Sequence, residues 1–97
     1  MSPGSSPAPL PRPIEDARVT DYLNHLRAER GLSPNTLSAY RSDLQKLQSW
    51  AASREQGIES IKPRDVAAFL AHLRALGLSA RSAGRAVHGI RGFFRFL

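Results

Sequence analysis

Apolar residues recur at steps of three and four along four segments of the chain, which is the spacing that gathers side chains on one face of a helix. The predicted helices cover about 15–30, 34–54, 63–76 and 79–97. No segment of useful length alternates with the period of a strand, so the sequence predicts an all-α fold, a compact four-helix bundle. The side chains expected to face inward are Val19, Tyr22, Leu23 and Leu26; Leu37, Tyr40, Leu44, Leu47 and Trp50; Val66, Phe69, Leu70 and Leu73; and Ala83, Val87, Ile90, Phe93, Phe94 and Leu97.

Helix ends are indicated by residues with local conformational preferences. Gly31 and Gly77 suit the left-handed position that follows a helix, and each is followed by leucine, which favours a closing apolar contact. Ser33 and Ser79 are good N-caps. Lys62 is a poor one, so the start of the third helix is marked mainly by the proline that follows it.

The first 13 residues carry proline at positions 3, 7, 9, 11 and 13. Proline lacks an amide donor and fixes φ, so this stretch cannot form a stable helix or a central strand. We predict a disordered tail at 1–13 and a helical domain at 14–97.

Three glycines interrupt the predicted fourth helix: Gly84, Gly89 and Gly92. Each costs roughly 1 kcal/mol relative to alanine inside a helix. Their presence indicates either close helix packing or a backbone that an outside molecule approaches.

The charge balance favours a polyanionic partner. The chain of 97 residues carries 14 Lys and Arg against 8 Asp and Glu, a formal net charge of +6, and 12 of the basic residues are arginine. The planar fork of arginine suits phosphates and guanine edges. Cysteine is absent, which excludes thiolate metal sites and disulfides. We expect a cytoplasmic protein, without a membrane span or a signal peptide.

Positive charge is concentrated at the end of the chain. The last acidic residue is Asp65, and five arginines follow it. On the predicted fourth helix, positions 81, 85, 88, 91, 92 and 95 follow one another at short steps and form a stripe on one face, which carries no acid. The second helix opens with short polar side chains of the kind that contact phosphates and base edges. The alternative for both faces is an ordinary solvated surface.

Catalytic chemistry is not indicated. The three histidines lie on three predicted helices, and Glu29, four residues after His25, could face it. A metal site needs further converging ligands, so we predict no metal and no cofactor. Tyr22 and Tyr40 fall on the apolar stripes and are expected to be core residues. No pair of carboxylates is spaced for acid–base work.

Two segments resemble a known family. The first comprises 33–37 (SPNTL), 40–44 (YRSDL) and Trp50. The second comprises 77–82 (GLSARS), Arg85 and 90–97 (IRGFFRFL). Together, in this order and spacing, they are similar to the N-terminal core-binding, SAM-like domain of tyrosine recombinases, above all the Xer group (XerC and XerD). The resemblance covers about 19–97.

The resemblance implies a role in site-specific DNA recombination, either resolution of chromosome dimers or DNA integration. In that family this domain grips duplex DNA at a half-site alongside other recombinase subunits, and catalysis belongs to a separate C-terminal domain. No catalytic residue is therefore expected in this chain. His88 and Lys62 depart from the family pattern. The resemblance places its second and fourth helices at the major groove, with DNA contacts expected from Asn35, Thr36, Arg41, Arg81, Ser82, Arg85 and Arg91.

A second hypothesis, from another functional class, is a helical interaction module. It would bind a protein partner through the aromatic C-terminal segment, 93–97, which exposes apolar surface if nothing covers it. The dependence of DNA binding on salt separates the two hypotheses. The sequence leaves open the XerC, XerD and phage-integrase branches.

Overall fold

The computed structural model describes residues 15–97, and within them four α-helices form a bundle without any strand. The helices are α1 (Ala17–Arg30), α2 (Pro34–Ser53), α3 (Pro63–Ala75) and α4 (Ala80–Phe96), with a single 3-10 turn at Ile58–Ser60. The predicted all-α class and the four helices are confirmed. The predicted tail at 1–13 lies outside the described residues.

Side-chain caps fix three of the helix starts. Ser33 accepts a hydrogen bond from the Thr36 amide at 3.2 Å, and Ser79 accepts one from the Ser82 amide at 3.1 Å, as predicted. The prediction for α1 was wrong by about two residues. Asp16 is its N-cap, since its carboxylate accepts from the Arg18 amide at 2.8 Å, and Glu15 precedes the helix.

The start of α3 shows how a poor capping residue is compensated. The Lys62 side chain cannot accept a hydrogen bond, so it cannot cap the helix. Instead, the Asp65 carboxylate accepts a hydrogen bond from the Lys62 amide at 2.9 Å. At the other ends, Gly31 and Gly77 have φ of 59° and 98°, the left-handed conformation predicted for both. After α2 the left-handed residue is Glu55, with φ of 56°, and not Gly57.

The core lies where all four helices meet. Of the residues predicted to face inward, Val19, Leu47, Phe69 and Phe93 are fully buried. The prediction for Leu97 was wrong: it follows the last helical residue and is 51% exposed. Buried positions that the pattern did not predict are Asp43, Ala51, Ile58, Ile61, Ala86 and Gly89.

Two of the α4 glycines allow close packing. A Cβ at Gly89 would lie 3.0 Å from Cδ1 of Tyr40, and a Cβ at Gly92 would collide with the Tyr22 hydroxyl. That hydroxyl donates a hydrogen bond to the Gly89 carbonyl at 3.1 Å, which ties α1 to α4. Gly84 differs, since a Cβ there would meet nothing within 4 Å. Close packing therefore explains Gly89 and Gly92 but not Gly84.

We expect Gly84→Ala to raise the free energy of unfolding by up to about 1 kcal/mol, because alanine favours the helix and nothing crowds the new methyl group. The matched control is Gly92→Ala, on the same helix. There the same propensity gain is outweighed by overpacking, which typically costs about 1–3 kcal/mol. Urea unfolding of both variants measures the difference. Equal shifts in the same direction would contradict this account of the two glycines.

Candidate nucleic-acid interface

The exposed face of α4 is basic and free of acidic side chains. Arg81, His88, Arg91 and Arg95 are exposed on it, together with Gly84. The three arginines form no ion pair within residues 15–97. Their guanidinium groups are therefore available to an outside anion. We call these five residues the α4 basic face.

Arg85 lies at the edge of this face and is engaged within the protein. Its Nε and Nη2 each donate to one carboxylate oxygen of Asp43, both at 2.9 Å, so the pair is bidentate. Asp43 is 1% exposed, whereas the Arg85 side chain is 38% exposed. The hydrogen bond with Asp43 raises the pKa of Arg85 above its ordinary value, outweighing partial burial. The pair joins α2 to α4.

No role for Asp43 is predicted from the sequence. A signal was present, because Asp43 stands three residues after Tyr40 and four before Leu47, in the middle of the apolar stripe of α2. A buried carboxylate at such a position requires a cationic partner. Which arginine supplies it depends on how α2 and α4 cross. Arg85 keeps Nη1 without a hydrogen bond in the described part of the chain, so it can still reach a phosphate from the edge of the face.

A row of α2 side chains lies beside Asp43, the residue through which α2 pairs with Arg85 of α4. Ala39 and Lys46 neighbour Asp43 on the helix surface, four residues before it and three after it. Asn35 lies four residues before Ala39, and Ser42 lies four residues before Lys46; both are exposed. Lys46 Nζ donates to Ser42 Oγ at 2.9 Å. We call Asn35, Ala39, Ser42 and Lys46 the α2 row; Ser42 and Lys46 also line a surface groove with His72 and Leu76.

Arg41 lies elsewhere, although the resemblance placed it with the DNA contacts. It is two residues before Asp43, about 200° around the helix, so it faces away from α4. Its Nε donates to Glu15 Oε1 at 3.0 Å, on the α1 side of the bundle. Arg81 and Arg91 thus lie on the α4 basic face and Arg85 at its edge, Asn35 is exposed near the start of α2, and Arg41 lies on the α1 side of the bundle.

Thr36 and Ser82 serve as helix-start residues. Both are half-buried, and each donates its amide to the capping serine of its helix. The Thr36 hydroxyl oxygen lies 3.0 Å from that of Ser33, and the Ser82 hydroxyl oxygen lies 3.2 Å from that of Ser79. These hydroxyl pairs mark the starts of α2 and α4, where amide donors and the helix dipole favour a phosphate.

Two of the three histidines pack against aromatic rings. The His25 ring lies 5.1 Å from that of Phe96, and the His72 ring 6.1 Å from that of Phe69. Within the described range, no three His, Cys, Asp or Glu side chains are close enough to hold a metal ion. None of the helices in residues 15–97 is long and apolar enough to cross a membrane.

The chain matches one family model over residues 19–97, that of the phage integrase N-terminal SAM-like domain. It therefore belongs to this family, as the sequence motifs indicated.

The relatives it matches include the tyrosine recombinase XerD of Agrobacterium fabrum, 39% identical over 86% of this chain and 25% of the relative. The tyrosine recombinase XerC of Pseudomonas fluorescens is 39% identical over 84% of this chain and 28% of the relative. The tyrosine recombinase XerD of Proteus mirabilis is 40% identical over 84% of this chain and 26% of the relative. The chain thus spans about a quarter of the length of these relatives. No solved structure gives a significant match.

Proposed function

We propose that this chain is a duplex-DNA-binding domain of a site-specific tyrosine recombinase. The observation that carries the proposal is the α4 basic face, where three exposed arginines have no acidic partner within residues 15–97. Surfaces of this kind neutralise phosphates and release counterions. The family membership and the names of the relatives support the same assignment.

The binding mode follows from the geometry of α2 and α4. Arg81, Arg91 and Arg95 supply phosphate contacts along α4, and the α2 row adds polar and basic groups from α2. Arginine can also read guanine edges and Asn35 can read adenine, both in bidentate fashion. The Asp43–Arg85 pair holds the two helices in a fixed relation, so the two sets of contacts keep one spacing.

The parent protein, in this proposal, carries its catalytic residues outside this chain and acts on DNA with other recombinase subunits. The relatives are named as tyrosine recombinases, and the chain corresponds to about a quarter of each. The same proposal places the protein in the cytoplasm, with the DNA. XerC and XerD relatives occur at similar identity, so the proposal covers both branches.

The test is the salt dependence of binding to duplex DNA. Three arginine–phosphate contacts predict a slope of log affinity against log salt of about −3. Arg91→Gln should weaken binding about tenfold, the value of one charge-assisted hydrogen bond, and reduce the slope by about 1. Fluorescence anisotropy at several salt concentrations measures both quantities.

The matched control is Arg64→Gln, which removes the same charge from an exposed arginine near the start of α3. It should leave the slope nearly unchanged. A folded wild-type chain that shows no binding at low salt, or binding that does not vary with salt, would refute the proposal. That outcome would favour the protein-interaction hypothesis, for which the exposed surface is Phe96 and Leu97, 38% and 51% exposed.

A further inference from the structure

A hollow of about 290 Å³ lies between the C-terminal halves of α1 and α4 and the first turns of α2. His25 and Arg30 line it from α1, and His88 and Arg95 line it from α4. Its volume equals that of roughly ten water molecules, which is enough for a phosphate group. We call it the α1–α4 hollow.

The charge of the hollow is entirely basic. Neither arginine has an ion-pair partner within residues 15–97, and no acidic side chain lines the hollow. Its other titratable groups are the hydroxyls of Tyr22 and Tyr40, and α3 contributes no lining residue. Burial, with a smaller contribution from Tyr40, raises the pKa of Tyr22. Tyr22 therefore stays neutral, and its proton is donated to the Gly89 carbonyl.

Two features keep the hollow open and its donors in place. Gly92 lines it without a side chain, and an alanine there would strike the Tyr22 hydroxyl. Phe96 forms an apolar wall whose ring lies 5.1 Å from that of His25, which restricts the imidazole. The hollow thus has an apolar side and basic groups from two helices facing one space.

His88 and Arg95 belong to both the hollow and the α4 basic face. The two surfaces are therefore continuous, and a strand of DNA lying along α4 reaches the hollow without leaving the protein.

We propose that the α1–α4 hollow binds a backbone phosphate of the duplex through Arg30, Arg95, His25 and His88. This inference rests on the proposed function and adds to it a phosphate site that α1 supplies in part. Histidine changes charge between about pH 5 and 8. A bound phosphate favours the protonated imidazole, so the affinity for DNA rises as the pH falls through this range.

The first experiment compares DNA affinity at pH 5.5 and pH 7.5 at constant ionic strength. The wild-type chain should bind about three- to tenfold more tightly at the lower pH, as expected for charge-assisted hydrogen bonds gained on protonation. The double variant His25→Gln/His88→Gln should lose most of this difference. The control His72→Gln, on α3 against Trp50 and Phe69, should retain it. A pH response that is unchanged in the double variant would overturn the proposal.

The second experiment removes a group that belongs to the hollow but not to α4. Arg30→Gln should weaken DNA binding about tenfold at either pH. Arg27→Gln is the matched control, because it removes the same charge from the same helix and lies outside the hollow. If Arg30→Gln binds DNA like the wild type while the steep salt slope persists, the hollow proposal fails and the proposed function stands.

Inorganic phosphate separates the two possible sources of the ligand. Titration followed by NMR should move the imidazole signals of His25 and His88 weakly, at millimolar phosphate, and duplex DNA should move them at far lower concentration. Shifts with free phosphate and none with bound DNA would identify an anion site unrelated to the duplex, which also overturns the proposal.

Discussion

Replacement of Arg85 with alanine is expected to lower the free energy of unfolding by about 3 kcal/mol. The variant leaves the Asp43 carboxylate, 1% exposed, without its two hydrogen bonds. Breaking a buried ion pair costs about 3–5 kcal/mol. We expect the lower end, because the Arg85 side chain is 38% exposed and its removal admits water to Asp43. The melting temperature should fall by roughly 10–20 °C.

Arg91→Ala is the matched control for this prediction. Arg91 is exposed on the same helix and has no ion-pair partner in the described residues, so its loss should change stability by no more than about 0.5 kcal/mol. The double variant Asp43→Leu/Arg85→Met should be more stable than Arg85→Ala, since it leaves no buried charge unpaired. Arg85→Ala as stable as Arg91→Ala would show that the ion pair contributes nothing.

The second large effect is expected at Phe93. Its ring is fully buried and meets Tyr22 edge-on, with the ring centroids 5.6 Å apart. Phe93→Ala removes a large core side chain, and such truncations cost about 3–5 kcal/mol. Urea unfolding or calorimetry of the chain measures the loss. A variant with an unchanged melting temperature would mean that the ring is not a core residue.

Phe96 provides the comparison on the same helix. It is 38% exposed, although its ring lies 5.5 Å from that of Tyr22. Phe96→Ala should therefore cost clearly less stability than Phe93→Ala. The pair also bears on the protein-interaction hypothesis, since Phe96 and Leu97 are exposed apolar residues at this end of α4. Binding of a protein partner should respond to Phe96→Ala without a loss of fold.

These predictions separate two roles that arginines play on α4. Arg85 stabilises the crossing of α2 and α4, whereas Arg81 and Arg91 are exposed and have no ion-pair partner in the described part of the chain. A loss of DNA binding in an Arg85 variant must therefore be compared with its stability at the same temperature. The same loss in an Arg91 variant reports directly on the interface.

Much of the fold was predictable because it is encoded locally. The spacing of Val19, Tyr22, Leu23 and Leu26 defines one buried face, and all four are buried. Ser33 and Ser79 cap their helices through amides only three residues away. Gly31 and Gly77 adopt the left-handed conformation that glycine permits without steric cost. Each of these features depends on a few neighbouring residues.

The candidate site was predictable only as a set of basic positions. The sequence determined that α4 carries arginines on a face without acids, because the helical period places them there. It could not show which arginines are free. Arg41 meets Glu15 and Arg85 meets Asp43, at separations of 26 and 42 residues along the chain.

The sequence by itself determined the helices, most of their buried faces and the basic character of α4, since these follow from periodicity and short-range capping. Only the tertiary structure decided which charges remain unpaired and that Arg30 of α1 shares a hollow with Arg95 of α4. The physical reason is that ion pairing and cavity shape depend on distances between helices. Those distances are set by packing contacts, such as Tyr40 on Gly89, that no local pattern specifies.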